Sequence, residues 1–263
     1  MQINFSKYQG TGNDFVLIDN RKNIIDPNDT SLISLLCHRK FGIGADGLML
    51  LEDSEEYDFT MRYFNSDGKE ASMCGNGGRC IVAFAHQIGI IRNNTQFIAV
   101  DGVHHANLQD VSATLTVSLK MQDVSQIEQG DQNFYLNTGS PHYVEFLENQ
   151  DDLDVYQKGH SIRYSKRFAK EGTNVNFVTI HQDYLQVTTY ERGVEDETLS
   201  CGTGVVASAL CASITKGNTS GTFKVQTKGG NLSVHYHHNN QNQFSNIWLE
   251  GPATLVFNGS IRI

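Results

Sequence analysis

The stretch Glu70-Ala71-Ser72-Met73-Cys74-Gly75-Asn76-Gly77 recurs half a chain later as Glu197-Thr198-Leu199-Ser200-Cys201-Gly202-Thr203-Gly204. Both copies fit the pattern E-x-x-x-C-G-x-G, and 127 positions separate the two cysteines. A long repeat that holds its register indicates a duplicated structural unit rather than two unrelated glycine turns. The sequence therefore predicts a fold built from two similar halves.

The same register of 127 positions relates other turns of the chain. Gly12 aligns with Gly139, and Asn65 aligns with Arg192. In each half, strand-like apolar runs such as 15–18 and 177–180 come first. The Cys-Gly motif follows them and leads into a short apolar segment. Identity between the halves is low, so the repeat has diverged.

Both apolar segments that follow the cysteines are predicted to be helices. Residues 80–88 form the first and end at Gly89, and residues 205–214 form the second and end near Gly217. Because these segments are apolar almost all round, each helix should be buried inside its half. Further strands are predicted at 114–119, 223–226, 232–234 and 247–249.

The expected fold class is α+β. We predict two pseudo-symmetric lobes, each a strongly bent, barrel-like mixed β-sheet wrapped around a central apolar helix, with the active site in the cleft between the lobes. The expected N-terminal lobe is 1–125 and the C-terminal lobe 126–263, with C-terminal strands free to cross over to the first.

Composition excludes several classes of protein. The chain has 263 residues, 39% of them apolar and 19% charged, which favours a packed core over disorder. Its net charge of −9, without a long Lys/Arg cluster, argues against nucleic-acid binding. The polar N-terminus lacks an apolar signal region, and no apolar run approaches the roughly 18 residues of a membrane span. We expect a cytoplasmic protein that does not bind membranes.

The five cysteines do not indicate a disulfide framework, because their number is odd. They do not indicate a zinc site either, because no C-x-x-C occurs. Cys37, Cys80 and Cys211 lie among apolar or helical neighbours and are expected to fill the core. Cys74 and Cys201 are flanked by glycines instead, which is unusual for core cysteines. No bound metal is expected, since the paired histidines elsewhere lack ligand-spaced partners.

Cys74 and Cys201 each stand just before the first turn of a predicted helix. Free backbone N–H groups there favour a thiolate and can also bind a carboxylate. Two thiols facing one α-carbon from opposite sides would suit a racemase or an epimerase, with one thiolate taking the proton and one thiol returning it. No Schiff-base lysine, dinucleotide fingerprint or phosphate cradle is present, so no cofactor is expected.

Two other classes of function stay open on these residues. A non-catalytic amino-acid binder would need the backbone donors but no reactive thiols. A redox sensor would form a reversible disulfide between Cys74 and Cys201.

At these residues the chain closely resembles the diaminopimelate epimerase family, and the resemblance covers nearly its whole length. The segments that carry it are Gly10-Thr11-Gly12-Asn13-Asp14-Phe15, Gly42-Ile43-Gly44-Ala45-Asp46-Gly47, Phe64-Asn65-Ser66-Asp67-Gly68, Met73-Cys74-Gly75-Asn76-Gly77-Gly78-Arg79-Cys80, Asn174-Val175-Asn176-Phe177, Tyr190-Glu191-Arg192-Gly193, Cys201-Gly202-Thr203-Gly204 and Trp248-Leu249-Glu250-Gly251-Pro252-Ala253.

The resemblance implies a cofactor-independent epimerase that interconverts LL- and meso-diaminopimelate in bacterial lysine and peptidoglycan-precursor synthesis, and a homodimer. It implies Cys74 and Cys201 as the acid–base pair, with His142 and Glu191 tuning the thiols. Arg192 is the implied ligand of the distal carboxylate, which its planar fork matches. The implied substrate-binding residues are Asn13, Gly47, Asn65, Gly75, Asn76, Ser140, Asn174, Glu191, Arg192, Gly202 and Thr203.

The chain departs from the family pattern at two of these positions. Many members have Gln where Gly47 stands, and many have Asn where Ser140 stands. Proline racemase and hydroxyproline epimerase also use paired cysteines, but their substrates have no distal carboxylate for Arg192. The phenazine-type isomerases share the duplicated fold and generally lack the cysteine pair.

Overall fold

The computed structural model describes residues 2–111, 114–218, 220–239 and 243–263. The chain divides into two compact units. Unit 1 comprises Met1–Leu119 and Gly251–Ile263, and unit 2 comprises Lys120–Glu250. The described residues form 17 β-strands and four α-helices, which confirms the predicted α+β class.

The elements that begin in unit 1 are β1 (Gln2–Gly10), β2 (Asn13–Asp19), α1 (Thr30–Cys37), β3 (Gly47–Glu52), β4 (Phe59–Asn65), β5 (Glu70–Ala71), α2 (Gly75–Gln87), β6 (Asn94–Ala99), β7 (Gly102–Val111) and β8 (Thr114–Lys120). Those that begin in unit 2 are β9 (Ile127–Gln129), β10 (Asn133–Asn137), β11 (Pro141–Phe146), α3 (Val155–Arg163), β12 (Asn174–Ile180), β13 (Leu185–Glu191), β14 (Asp196–Thr198), α4 (Gly202–Lys216), β15 (Ser220–Thr227), β16 (Gly230–His238) and β17 (Phe244–Arg262).

Unit 1 is a mixed sheet curved around α2. Strand β1 runs antiparallel to β2, β2 parallel to β3, β3 antiparallel to β4, and β4 parallel to β6. Antiparallel pairs β6–β7 and β7–β8 continue it, and β17 pairs with both β8 and β1, which closes the sheet. Helix α2 packs against β1, β2, β3 and β7. Its residues from Gly75 to Ala85 are buried, as the apolar pattern predicts.

Unit 2 repeats the same order of pairings. Strand β10 runs antiparallel to β11, β11 parallel to β12, β12 antiparallel to β13, and β13 parallel to β15. Antiparallel pairs β15–β16 and β16–β17 follow. Helix α4 packs against β10 to β13, β15 and β16. In each unit a short outer helix, α1 or α3, connects the first parallel pair of strands, so the predicted duplication is confirmed by topology.

Strand register aligns the candidate side chains within each unit. In unit 1, Gly47 pairs with Asn65 across β3 and β4 and with Phe15 across β2 and β3. In unit 2, His142 pairs with Asn174 across β11 and β12. The polar positions of each half therefore lie at one end of neighbouring strands.

Both central helices begin directly after the cysteines, as predicted, and therefore earlier than the apolar runs that indicated them. Helix α2 starts at Gly75 rather than at residue 80, and α4 starts at Gly202 rather than at residue 205. Glycines occupy the first turn before each run, although glycine is a poor helix former. Packing nevertheless favours glycine in this first turn, since a Cβ on Gly77 would lie 2.8 Å from the Met49 methyl carbon.

Among the residues that the structure describes, no helix is both long and apolar enough to cross a membrane. The predicted strands at 114–119, 223–226, 232–234 and 247–249 are confirmed as parts of β8, β15, β16 and β17.

The end of α4 allows a test of helix termination. Gly217 caps this helix in the left-handed region, at φ 67°, and a Cβ added there would meet nothing within 4 Å. Gly217→Ala should therefore cost only backbone strain, about 1 kcal/mol of unfolding free energy. Gly217→Asn, a residue that tolerates this region, should cost less. Urea unfolding checks both values, and equal stability of the Ala variant and the wild type would contradict the assignment.

Candidate active site

Cys74 is the N-cap residue of α2. Its backbone is extended, at φ −99° and ψ 146°, and its sulfur accepts the N–H of Gly77 at 3.2 Å. The carbonyl of Cys74 accepts the N–H of Gly78 at 2.8 Å. Thus the sulfur lies among the free N–H groups of the first turn, as predicted, where negative charge is favoured.

Asn13 lies beside Cys74, with its Oδ1 atom 3.9 Å from the cysteine sulfur. The Asn13 amide donates to the Asp46 carboxylate at 2.6 Å, which fixes its orientation. Asn65 is exposed at the end of β4. Unit 1 therefore brings Asn13 next to the cysteine, while Asn65 lies across from Gly47 in the sheet.

Packing explains why residue 47 is a glycine. A Cβ there would lie 2.5 Å from the Tyr63 ring and 2.7 Å from the Phe64 carbonyl oxygen. A larger residue would therefore require Tyr63 and the β4 backbone to move. The departure from Gln at this position agrees with a close approach between β3 and β4, and Gly47 can offer a ligand only its backbone.

Cys201 is the N-cap residue of α4, at φ −115° and ψ 109°, and its carbonyl accepts the N–H of Val205 at 2.9 Å. The Thr203 hydroxyl lies 3.6 Å from the Cys201 sulfur. That hydroxyl also contacts the Nε2 atom of His142 at 2.9 Å and the Ser140 hydroxyl at 3.1 Å. A connected set of hydrogen bonds thus runs from His142 to the second cysteine.

The ring of His142 is held by Asn176. The Asn176 amide nitrogen donates to Nδ1 of His142 at 3.0 Å and to the Tyr143 carbonyl at 3.0 Å, while its oxygen accepts from the Thr189 hydroxyl at 2.9 Å. With Nδ1 as an acceptor, the neutral ring carries its proton on Nε2, facing Thr203. Gly204 permits this packing, since a Cβ there would lie 2.3 Å from the Asn176 oxygen.

His142 is fully buried and electrically neutral. Burial, followed by the positive charge of Arg192, lowers the pKa of His142 to about 3. The imidazole is therefore uncharged throughout the neutral range. It can influence Cys201 by orienting the Thr203 hydroxyl, but not by carrying a positive charge.

Asn174 joins the loop after β13 to the same cluster. Its Oδ1 atom accepts the backbone N–H of Arg192 at 2.9 Å, and its amide nitrogen donates to the Ser140 hydroxyl at 3.1 Å. The Arg192 side chain is exposed and donates to the Glu171 carbonyl at 2.8 Å. Glu191 accepts the Thr198 hydroxyl at 2.9 Å. Ser140 thus takes part in the network despite its departure from the family pattern.

The remaining cysteines are buried, as predicted. Burial raises the pKa of both Cys37 and Cys80 to about 12, and it raises the pKa of Cys211 well above its usual value. These three sulfurs are therefore protonated at neutral pH and unreactive.

Two residues that the sequence analysis did not assign a role contact this machinery, Asn176 and Arg79. Each carried a signal, because a polar side chain stands in an otherwise apolar strand or helix. Asn176 occupies the second asparagine of Asn174-Val175-Asn176-Phe177, and Arg79 stands alone in the buried part of α2.

A family model described as diaminopimelate epimerase matches residues 5–126 and 134–256. The chain is 49% identical over 258 residues to the diaminopimelate epimerase of Flavobacterium psychrophilum, covering 97% of this chain and 98% of the relative. It is 43% identical to the diaminopimelate epimerase of Chlorobaculum tepidum, covering 97% and 99%.

Solved structures share the fold at low sequence identity. A phenazine biosynthesis protein from Bacillus anthracis aligns with a TM-score of 0.79 at 13% identity, covering 100% of both chains. A hydroxyproline epimerase from Agrobacterium vitis aligns with a TM-score of 0.70 at 13% identity, covering 99% of this chain and 92% of the other. At this identity the likeness establishes the fold alone.

The clamp on His142 allows a test by Asn176→Asp. A carboxylate cannot donate to Nδ1 but can accept from a protonated ring, so the pKa of His142 should rise from about 3 by one unit or more. Titration of the histidine C2–H signals by NMR, assigned with His142→Asn, measures the shift. Asn258→Asp, on exposed β17, is the matched control and should leave the His142 signal unchanged. A His142 signal in Asn176→Asp that titrates as in the wild type would contradict the clamp.

Proposed function

The chain belongs to the diaminopimelate epimerase family, and on this premise we propose that it interconverts LL- and meso-diaminopimelate by proton transfer between Cys74 and Cys201, without a cofactor. It is an isomerase, like the epimerases that it matches over nearly its full length. One observation carries the mechanism: each cysteine is the N-cap of the buried central helix in one of two units with the same topology.

The proposed reaction needs one thiolate and one thiol. The thiolate removes the α-proton and becomes a thiol, and the other cysteine donates its proton to the opposite face of the same carbon and becomes a thiolate. The pair therefore ends in the inverted protonation state, from which the reverse reaction starts. No other group gains or loses a proton.

Removal of an α-proton places negative charge on the substrate carboxylate as it gains enolate character. We assign the stabilisation of that charge to the first-turn N–H groups of Gly75 and Asn76 in α2 and of Gly202 and Thr203 in α4. Such donors are already oriented before the reaction, so they can replace the electron sink of a cofactor.

The substrate's distal end is assigned to the polar residues at the strand ends. Arg192 is exposed and has the planar fork that matches a carboxylate, which a second amino-acid centre would present. Glu191 is the proposed acceptor for an ammonium group. The further proposed ligands are Asn13, Gly47 through its backbone, Asn65, Ser140 and Asn174.

His142 and Glu191 are the proposed tuning residues, and the buried, neutral state of His142 suggests how the first of them acts. Through its Nε2–H group the ring orients the Thr203 hydroxyl, which lies 3.6 Å from the Cys201 sulfur. Glu191, the last residue of β13, differs from neutral His142 because it would act through a negative charge.

Proline and hydroxyproline are the second candidate substrates, because a hydroxyproline epimerase shares the fold. Their single carboxylate gives Arg192 no partner, so the distal contact favours diaminopimelate. The same experiment distinguishes these substrates and also the amino-acid binder and the redox sensor.

The reduced protein, incubated with LL-diaminopimelate in D2O, should form the meso isomer with deuterium at the inverted carbon, as followed by NMR. Cys74→Ala and Cys201→Ala should each lower the rate by at least about 10³-fold, because each removes one of the two proton carriers. Arg21→Ala, two residues beyond the end of β2 that is opposite Asn13, is the control and should retain full activity.

Exchange with proline or hydroxyproline but not with diaminopimelate would replace the substrate assignment. Absence of exchange with all three would favour the binder or the sensor, and full activity of either cysteine variant would exclude the two-base mechanism.

We also propose that the chain acts in the cytoplasm and that a small amino acid, rather than a nucleic acid or a membrane, is its partner. The proposed reaction needs two reduced thiols, which a reducing compartment maintains. The net charge of −9 disfavours binding to another polyanion.

A homodimer is the proposed assembly. Three consecutive apolar residues of β17 are exposed, Leu255, Val256 and Phe257, and such a patch is a typical protein interface. Light scattering after gel filtration should give about twice the chain mass of 29.3 kDa. Val256→Lys should halve that mass, while Val100→Lys, at another exposed valine, should not. A monomeric wild type would contradict the assembly.

A further inference from the structure

Arg79 is a fully buried cation in α2, one turn beyond Cys74. Its Nη1 atom donates to the Gly75 carbonyl at 3.2 Å, and its Nε atom to the Pro252 carbonyl at 3.3 Å. Its Nη2 atom donates to the Asn76 side-chain oxygen at 3.0 Å and the Thr11 hydroxyl at 3.2 Å. All of these acceptors are neutral.

A buried charge is costly unless an opposite charge compensates it, and arginine cannot escape by losing its proton. Lys7, which is also a buried cation of unit 1, has the carboxylate of Asp14 at 2.7 Å. For Arg79, the described part of the chain offers no carboxylate within ion-pair distance. Its charge is therefore available to an anion at the start of α2.

Two thiols lie within the electrostatic reach of Arg79. Burial lowers the pKa of Arg79, and the attraction of Cys80 and Cys74 opposes that lowering. Cys80 is fully buried with a pKa of about 12, so it stays protonated. Cys74 is only partly buried, and its sulfur already accepts the Gly77 N–H at 3.2 Å. Negative charge is therefore best accommodated on Cys74.

The duplicated unit lacks this cation. The position 127 residues after Arg79 is Val206, which is buried and apolar. Near Cys201 lie the Thr203 hydroxyl and neutral His142, with the charged residues Glu191 and Arg192 at the end of β13. Arg192 is exposed, so water weakens its charge, although that charge still contributes to the low pKa of His142.

Around Cys74, the other charged groups already have partners. The Asp46 carboxylate accepts from Asn13 and pairs with Arg39 at 2.7 Å. Asp101, which accepts the backbone N–H of Met73, pairs with His104 at 3.1 Å. Arg79 is thus the one cation of this set that has no carboxylate partner among the described residues.

We propose that Arg79 is a positioning residue that makes Cys74 the thiolate and Cys201 the thiol of the resting enzyme. The assignment rests on the proposed two-cysteine function. It means that the free enzyme is ready for the isomer whose α-proton faces Cys74. Turnover moves the negative charge to Cys201, in the half where Val206 stands at the position of Arg79.

The test is the pH dependence of alkylation by iodoacetamide, measured separately for Cys74 and Cys201 by peptide mass spectrometry on the reduced, substrate-free protein. Midpoints rather than absolute rates are compared, because the two sulfurs differ in exposure. The Cys74 midpoint should lie about one pH unit or more below that of Cys201. Arg79→Gln, which keeps donors but removes the charge, should raise the Cys74 midpoint by about one unit and leave Cys201 unchanged.

Arg79→Lys keeps the charge and should retain a Cys74 midpoint close to that of the wild type, a rescue that a purely structural role would not produce. Arg21→Gln, at an exposed arginine paired with Asp19, is the matched control and should move neither midpoint. Circular dichroism melts establish that each variant is folded. If Arg79→Gln does not fold, the proposal is tested by two other results: the order of the Cys74 and Cys201 midpoints in the wild type, and the Cys74 midpoint in Arg79→Lys.

A Cys201 midpoint below that of Cys74 in the wild type would overturn the proposal, as would a folded Arg79→Gln variant that leaves the Cys74 midpoint in place. Because alkylation needs no turnover, its outcome is separate from the deuterium assay. Correct midpoints in a protein that does not exchange α-protons would support the charge assignment and reject the epimerase function.

Discussion

The free N–H groups at the start of a buried helix are the constraint on which the rest of the structure depends. A helix leaves its first N–H groups without backbone partners, and burial makes unsatisfied donors costly. In α2 the sulfur of Cys74 accepts one of them, from Gly77. A site that must find acceptors for its own donors is suited to an anion, whether a thiolate or a carboxylate. Burial of the helix therefore favours an acceptor such as the Cys74 sulfur at its start.

Duplication supplies the same frame twice, and the side chains then differentiate the two copies. Both units wrap one apolar helix in a mixed sheet with the same pairing order. The residue five positions after the cysteine is a buried cation in one unit, Arg79, and a valine in the other, Val206. The proposed reaction starts from one thiolate and one thiol, and this difference between the two units lies inside the core, where charge is least screened.

In unit 2 a set of hydrogen bonds between uncharged groups leads to the cysteine. Asn176 fixes the ring of His142, which orients the hydroxyl of Thr203 beside Cys201. With Asn176 donating to Nδ1, the proton of the neutral ring lies on Nε2 and faces Thr203. The close packing that this needs explains Gly204 in the first turn of α4, where a Cβ would strike the Asn176 oxygen.

The sequence by itself determined the duplication, the two buried helices and the cysteines at their starts, because repeat register and apolar periodicity are local properties of a chain. The strands of each half could be located for the same reason. Only the tertiary structure decided why glycine stands in the first turn of α2, where a Cβ on Gly77 would approach Met49, and the roles proposed for Asn176 and Arg79. Those roles depend on contacts between residues distant in sequence, such as Arg79 with Pro252, which local patterns do not record. The effect of a buried charge depends on whether the fold places an opposite charge beside it.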